Sequence, residues 1–172
     1  QVQDLARAFA WIAENIADYG GDPNKIVVGG HSAGGQLIAL LATDAQYVEA
    51  TGHNLDEIKG VIPISGVLVL SSENEDVFPA GSLQDFSPIN YVLPDSDLPP
   101  FLILLADRDE QHIILAAQLM QAALRETDAS FNIVVIPGRD HFSIMHFVGQ
   151  GDDLVTRLIT SWFAKIFEDN AS

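Results

Sequence analysis

Gly30-His31-Ser32-Ala33-Gly34 is the stretch of this 172-residue sequence whose residue types and spacing point most directly to chemistry. It matches the pattern G-x-S-x-G and lies between two apolar runs, Ile26-Val27-Val28 and Gln36-Leu37-Ile38-Ala39-Leu40. A serine on a sharp strand-to-helix turn projects its hydroxyl clear of the sheet, and small neighbours let the backbone make that turn. Ser32 is therefore the expected nucleophile. The backbone N–H of Ala33, at the positive end of the following helix, is the expected donor to an oxyanion. A glycine-rich turn with an idle serine is the plain alternative.

A serine hydroxyl attacks only when a base takes its proton, so a histidine and an orienting acid are needed. Two later segments carry these types, Leu105-Ala106-Asp107-Arg108-Asp109 and Pro137-Gly138-Arg139-Asp140-His141. His141 is the preferred base, with His146 as its rival. His31 lies on the turn itself, where its side chain should point away from the hydroxyl. His53, in a polar connection, and His112, at the start of a helix, read as surface. Asp109 is preferred to Asp107 as the acid; pairing with Arg108 or solvation would account for the other. Asp140, adjacent to the base, reads as structural.

The elements that must hold these residues alternate between helix and strand patterns, which predicts an α/β domain with a mainly parallel sheet. Leu5, Phe9, Ile12 and Ile16 form one stripe of a first helix that ends at Gly20-Gly21. The strands are expected at Ile26 to Val28, Gly60 to Gly66, Phe101 to Ala106 and Phe131 to Ile136. Pro63 conflicts with the second, because it cannot donate to a ladder. Helices are expected from Ala33 to Thr43, Gln111 to Thr127 and Asp152 to Glu168. The stretch from Ser71 to Pro100 has little periodicity, and a loop of that length is usually functional or mobile. No repeat or linker interrupts the chain, so residues 1–172 read as one domain.

Composition narrows the function further. The 8 Lys and Arg against 24 Asp and Glu give a net charge of −16. Such a surface repels phosphate backbones and anionic lipid, which argues against nucleic-acid and membrane partners. It reads as a solubilising surface or as adaptation to high salt. The sequence has no cysteine, so disulfides and thiol chemistry are excluded, and the compartment is left open between cytoplasm and exterior. No apolar run approaches the ~20 residues of a membrane helix. The first residue is Gln rather than Met, which suggests an upstream piece.

Three segments resemble the α/β-hydrolase carboxylesterases related to hormone-sensitive lipase, feruloyl and acetyl esterases and kynurenine formamidase-like hydrolases. They are Tyr19-Gly20-Gly21-Asp22-Pro23-Asn24-Lys25-Ile26 leading into Gly29 to Gly35, Phe86-Ser87-Pro88-Ile89-Asn90-Tyr91, and Gly138-Arg139-Asp140-His141-Phe142-Ser143-Ile144. The resemblance implies Ser32, Asp109 and His141 as nucleophile, acid and base, with Ala33 as oxyanion donor. Ala106 departs from it, standing where glycine is usual. The family's upstream His-Gly-Gly loop, source of further oxyanion donors, has no match in the 31 residues before Ser32. The chain thus resembles the second half of the fold, four strands with flanking helices. The implied activity is hydrolysis of esters with small to medium acyl groups, without metal or organic cofactor. Amide hydrolysis and a non-catalytic domain are the alternatives. The apolar strand at Ile26 is expected to find a neighbour, either a second copy or a missing N-terminal segment.

Overall fold

The computed structural model describes residues 1–74, 76–78 and 82–168. Helix α1 (Val2–Asn15) buries Val2, Ala6 and Phe9 and half-buries Leu5 and Ile12, which places the expected stripe inward. A short 3-10 turn, Ile16–Tyr19, carries it to Gly20. Then follow β1 (Ile26–His31), α2 (Ala33–Thr43), the one-turn α3 (Gln46–Glu49) and β2 (Ile58–Ile64). After a long irregular segment come β3 (Phe101–Arg108), α4 (Gln111–Leu124), β4 (Phe131–Asp140), the short α5 (Ser143–His146) and α6 (Leu154–Glu168).

The four strands lie in the order β1-β2-β3-β4, and every pair is parallel. Both faces of this sheet are covered, which is why its strands read as apolar runs and not as alternating ones. Phe101, Ile103 and Leu105 of β3 join the cluster under α1, α2 and α4, while Leu102, Leu104 and Ala106 join that under α5 and α6. Because all strands are parallel, their C-terminal ends share one side of the sheet. That side holds every residue singled out above as nucleophile, acid or base.

All four strands differ from their expected spans, β3 by running two residues further, to Arg108. Strand β1 continues through Gly29 to His31, so it delivers Ser32 directly. Strand β2 begins at Ile58 and ends at Ile64, with the register slipping by one residue between Ile26↔Ile58 and Val27↔Gly60. Pro63 does sit inside β2. The N–H groups of Val61 and Ser65 reach carbonyls of Pro100 and Leu104 at 2.9 and 2.8 Å, so a donor at position 63 would also face β3. There the β2–β3 register holds only at Val61↔Phe101 and Ile64↔Leu104, whereas pairing with β1 is continuous from Gly60. The proline therefore costs one bond on one side of the strand.

Strand β4 runs to Asp140, past the expected end at Ile136. Pro137 is tolerated because β4 is an edge strand. The extension is pinned by Asp107, whose carboxylate accepts the N–H groups of Gly138 and Arg139 at 2.8 and 3.0 Å, and by Arg108, which donates to the Gly138 carbonyl at 2.8 Å. Helix α6 starts at Leu154 because the Asp153 carboxylate caps it, accepting the Thr156 N–H at 3.0 Å. Helix α4 stops at Leu124, where the Thr127 hydroxyl takes the Leu124 carbonyl at 2.9 Å.

The stretch from Ser71 to Pro100 contains 3-10 turns at Ser72–Asn74 and Pro88–Tyr91; its residues 75 and 79–81 lie outside the described residues. It is tied to the core in its second half. Val92 and Leu98 are buried, and the buried Gln36 amide donates to the Phe86 carbonyl at 2.6 Å.

Candidate active site

Ser32 occupies the junction between β1 and α2 with φ 56° and ψ −120°, a conformation that side chains rarely adopt. Such a backbone costs roughly 1–3 kcal/mol and persists only where its surroundings over-determine it. Here the surroundings are tight. A Cβ at Gly30 would lie 2.4 Å from the Gly34 carbonyl oxygen, and one at Gly35 would lie 2.8 Å from Gly66 Cα. Glycine at these positions lets β1, α2 and the end of β2 close on one another. The Ser32 N–H donates to the Ile64 carbonyl at 3.0 Å, and the Ser32 carbonyl accepts the Gln36 N–H at 3.1 Å. Both main-chain groups are thus committed, and the hydroxyl is left to point outward.

Each of the other strands ends in a residue that bears on this hydroxyl. His141 follows β4, and its Nε2 stands 2.9 Å from Ser32 Oγ. Asp109 follows β3, and its Oδ1 accepts from His141 Nδ1 at 2.9 Å. The Asp109 side chain is wholly buried and that of His141 nearly so. Ser65 follows β2. Its hydroxyl donates to the second oxygen of Asp109 at 2.5 Å, and the Ala106 N–H donates to the same oxygen at 2.9 Å. With Nδ1–H committed to a carboxylate, the neutral imidazole presents a bare Nε2 to the serine. That is the tautomer a base requires.

The structure therefore brings Ser32, His141 and Asp109 together and sets the other candidates elsewhere. Asp107 holds the backbone of Gly138 and Arg139, with Arg108 Nε 3.9 Å away. Asp140 accepts the N–H groups of Phe142 and Ser143, and those bonds, chiefly from Ser143, hold its carboxyl below the ordinary range. His146 lies on α5 with its ring against Phe147. His112 faces Glu110 at 3.4 Å. His53, expected at the surface, is instead largely covered, between Glu57 at 2.9 Å and Glu14 at 3.5 Å. The His31 ring reaches the main-chain carbonyl of His141 at 2.6 Å.

Ser65 is the site residue that the sequence alone does not single out. It is fully buried with φ 46°, directly after an apolar strand. A buried hydroxyl needs a partner, and the Ser65-Gly66 pair at the end of β2 is the one local hint. Ala33 heads α2 and borders a cavity of about 420 Å³, walled by apolar side chains including Leu37, Val67, Leu70, Phe78 and Phe86. Among the described residues, no group of three or more His, Asp or Glu is arranged to hold a metal ion.

A parallel sheet presenting serine, aspartate and histidine, in that chain order, from the C-terminal ends of β1, β3 and β4 has the architecture of an α/β-hydrolase. Within that class the chain belongs to the carboxylesterase family, which it matches over residues 2–139. It is 34% identical over 149 residues to esterase LipQ of Mycobacterium tuberculosis, an alignment covering 75% of this chain and 35% of the relative. Esterase LipC of the same organism is 29% identical over 168 residues, covering 81% of this chain and 40% of the relative. The chain thus spans well under half the length of these curated relatives. Among solved structures, a truncated carbohydrate esterase from gut microbiota superposes with a TM-score of 0.78 at 20% identity, covering 96% of this chain and 68% of that one. Propionate-bound esterase 2 of Thermogutta terrifontis gives 0.73 at 23% identity, covering 99% and 65%. At such identity these two speak for the fold alone. No described helix is long and apolar enough to cross a membrane.

Proposed function

We propose that the chain carries the catalytic residues of a serine esterase. The observation that carries this reading is the unbroken hydrogen-bonded line from Ser32 Oγ through His141 to Asp109, 2.9 Å at each step. Ser32 Oγ attacks the ester carbonyl carbon while His141 Nε2 takes its proton. The carbonyl oxygen becomes an oxyanion held by the Ala33 N–H, aided by the N-terminal end of α2. Collapse of the intermediate breaks the bond to the alcohol oxygen, which leaves with the proton from His141. Water then enters, gives a proton to His141, and releases the acid from Ser32 by the same steps in reverse. Asp109 stays ionised throughout and stabilises the imidazolium.

The acyl group is assigned to the cavity beside Ala33. Its described lining includes no residue of the His141 segment, yet the departing alcohol oxygen must reach His141 Nε2. The alcohol therefore leaves on the histidine side and the acyl chain fills the apolar side. The volume suits small to medium chains.

The test is turnover of a p-nitrophenyl ester series by the wild-type chain and by Ser32→Ala. From acetyl to hexanoyl, kcat/KM should rise by up to about fourfold per methylene, the worth of burying one CH₂, and Ser32→Ala should be inactive throughout. Undiminished hydrolysis by Ser32→Ala would sink the mechanism, and a flat acyl series would remove the cavity from it.

Partner strands belong to the same proposal. Strand β1 forms one edge of the sheet, and its Ile26-Val27-Val28 run is wholly apolar. We assign its outer side to pairing with a further strand, from a second copy or from an upstream segment.

A further inference from the structure

His31 is the titratable side chain that the esterase chemistry leaves without a task, and it lies against the base. Its Nε2 is 2.6 Å from the main-chain carbonyl oxygen of His141, and the two imidazole rings pack at 4.7 Å between centroids, tilted by 41°. A carbonyl oxygen only accepts, so His31 Nε2 carries the hydrogen. Burial and the neighbouring His141 lower the pKa of His31, against the opposing effects of its bond to the His141 carbonyl and of Asp109. The ring is thus a neutral donor at neutral pH.

What this bond joins is informative. The other hydrogen bonds of the His141 segment tie it to β3, to itself or, through the Arg139 side chain, to Asp153 ahead of α6 at 3.2 Å. Asp107 and Arg108 hold Gly138 and Arg139, while Asp140 and Ser143 bond within the turn. The His141 ring uses Nδ1 on Asp109 and Nε2 on Ser32. The bond from His31 reaches the main chain of the base from the residue next to the nucleophile. The positions of nucleophile and base are thus coupled through adjacent residues of one strand end.

We propose that His31 is a positioning residue: its Nε2–H clamps the His141 backbone to the end of β1 and so sets the distance from Ser32 Oγ to the base. This rests on the esterase reading above. The clamp touches no reacting atom, so it bears on the chemical step and leaves substrate binding alone. Misplacing a base by about an ångström costs on the order of 100-fold.

The test compares His31→Phe, which keeps a ring and loses the donor, with His31→Gln, which restores an N–H at similar reach. On p-nitrophenyl butyrate, His31→Phe should lower kcat by roughly 10–100-fold with KM little changed. His31→Gln should recover most of the loss, even though both variants melt at similar temperatures. Equal kcat in the two variants would overturn the clamp in favour of simple packing. A second arm needs no turnover: ¹⁵N spectra of histidine-labelled wild-type chain should show His31 as the neutral Nε2–H tautomer. A neutral Nδ1–H tautomer would overturn the clamp outright. Should the wild-type chain hydrolyse no ester, the esterase reading fails, and the ring spectrum alone decides the clamp.

Discussion

Ser32, Asp109 and His141 are legible in the amino-acid sequence because each chemistry-bearing type stands beside a strand end that the hydrophobic pattern exposes. Ser65 is not. Its partner is a carboxylate 44 positions away, and the Ser-Gly pair after an apolar strand does not by itself point to that partner. Its role follows from the two oxygens of Asp109: one faces His141, and the other would lose a donor without Ser65. Ser65→Gly separates the hydroxyl from the backbone, since glycine adopts φ 46° without strain. A hydrogen bond to a charged group is worth about 1.5 kcal/mol or more, so kcat should fall about tenfold while KM holds. An unchanged kcat would make Ser65 a packing residue. His141 bonds to Asp109 and not to Asp107 for a reason composition could not supply. The carboxylate nearer the strand end is consumed in holding β4 to β3.

At the scale of elements, order and type are readable from the sequence and lengths are not. Apolar runs locate the strand centres. The ends depend on side chains from other strands, as Asp107 and Arg108 extend β4 beyond its apolar part. The His53 cluster is equally hidden, because its partners Glu14 and Glu57 come from α1 and from the turn before β2. It links the two elements, with Phe9 edge-on to the His53 ring at 6.0 Å. The hydrogen bond with Glu57 chiefly raises His53 above its ordinary pKa and lowers Glu57 below its own. A raised histidine contributes stability that is full below its unfolded value, about 6.5, and is lost as pH rises through the folded value. A lowered glutamate contributes stability present above its unfolded value, about 4.3, and lost as pH falls through the folded one. The link is therefore strongest between the two. The melting-temperature deficit of His53→Leu should peak near about pH 5.5 and shrink above pH 7. A deficit independent of pH would reduce the cluster to packing.

At the scale of the molecule, the described sheet ends on one side in β1, which begins with the apolar run Ile26-Val27-Val28. If that edge takes a partner, light scattering should give a mass above 18.6 kDa, or a co-purifying fragment should appear in the intact mass spectrum. A lone 18.6 kDa species whose β1 amides resist hydrogen exchange would remove the proposal. Everything else rests on one serine. Treatment of the whole chain with a fluorophosphonate should add a single phosphonyl mass, map it to Ser32, and leave Ser32→Ala and His141→Ala unmodified under the same conditions. Label on another residue, or a wild-type chain that takes none while folded, would contradict the assignment of Ser32 as an activated nucleophile.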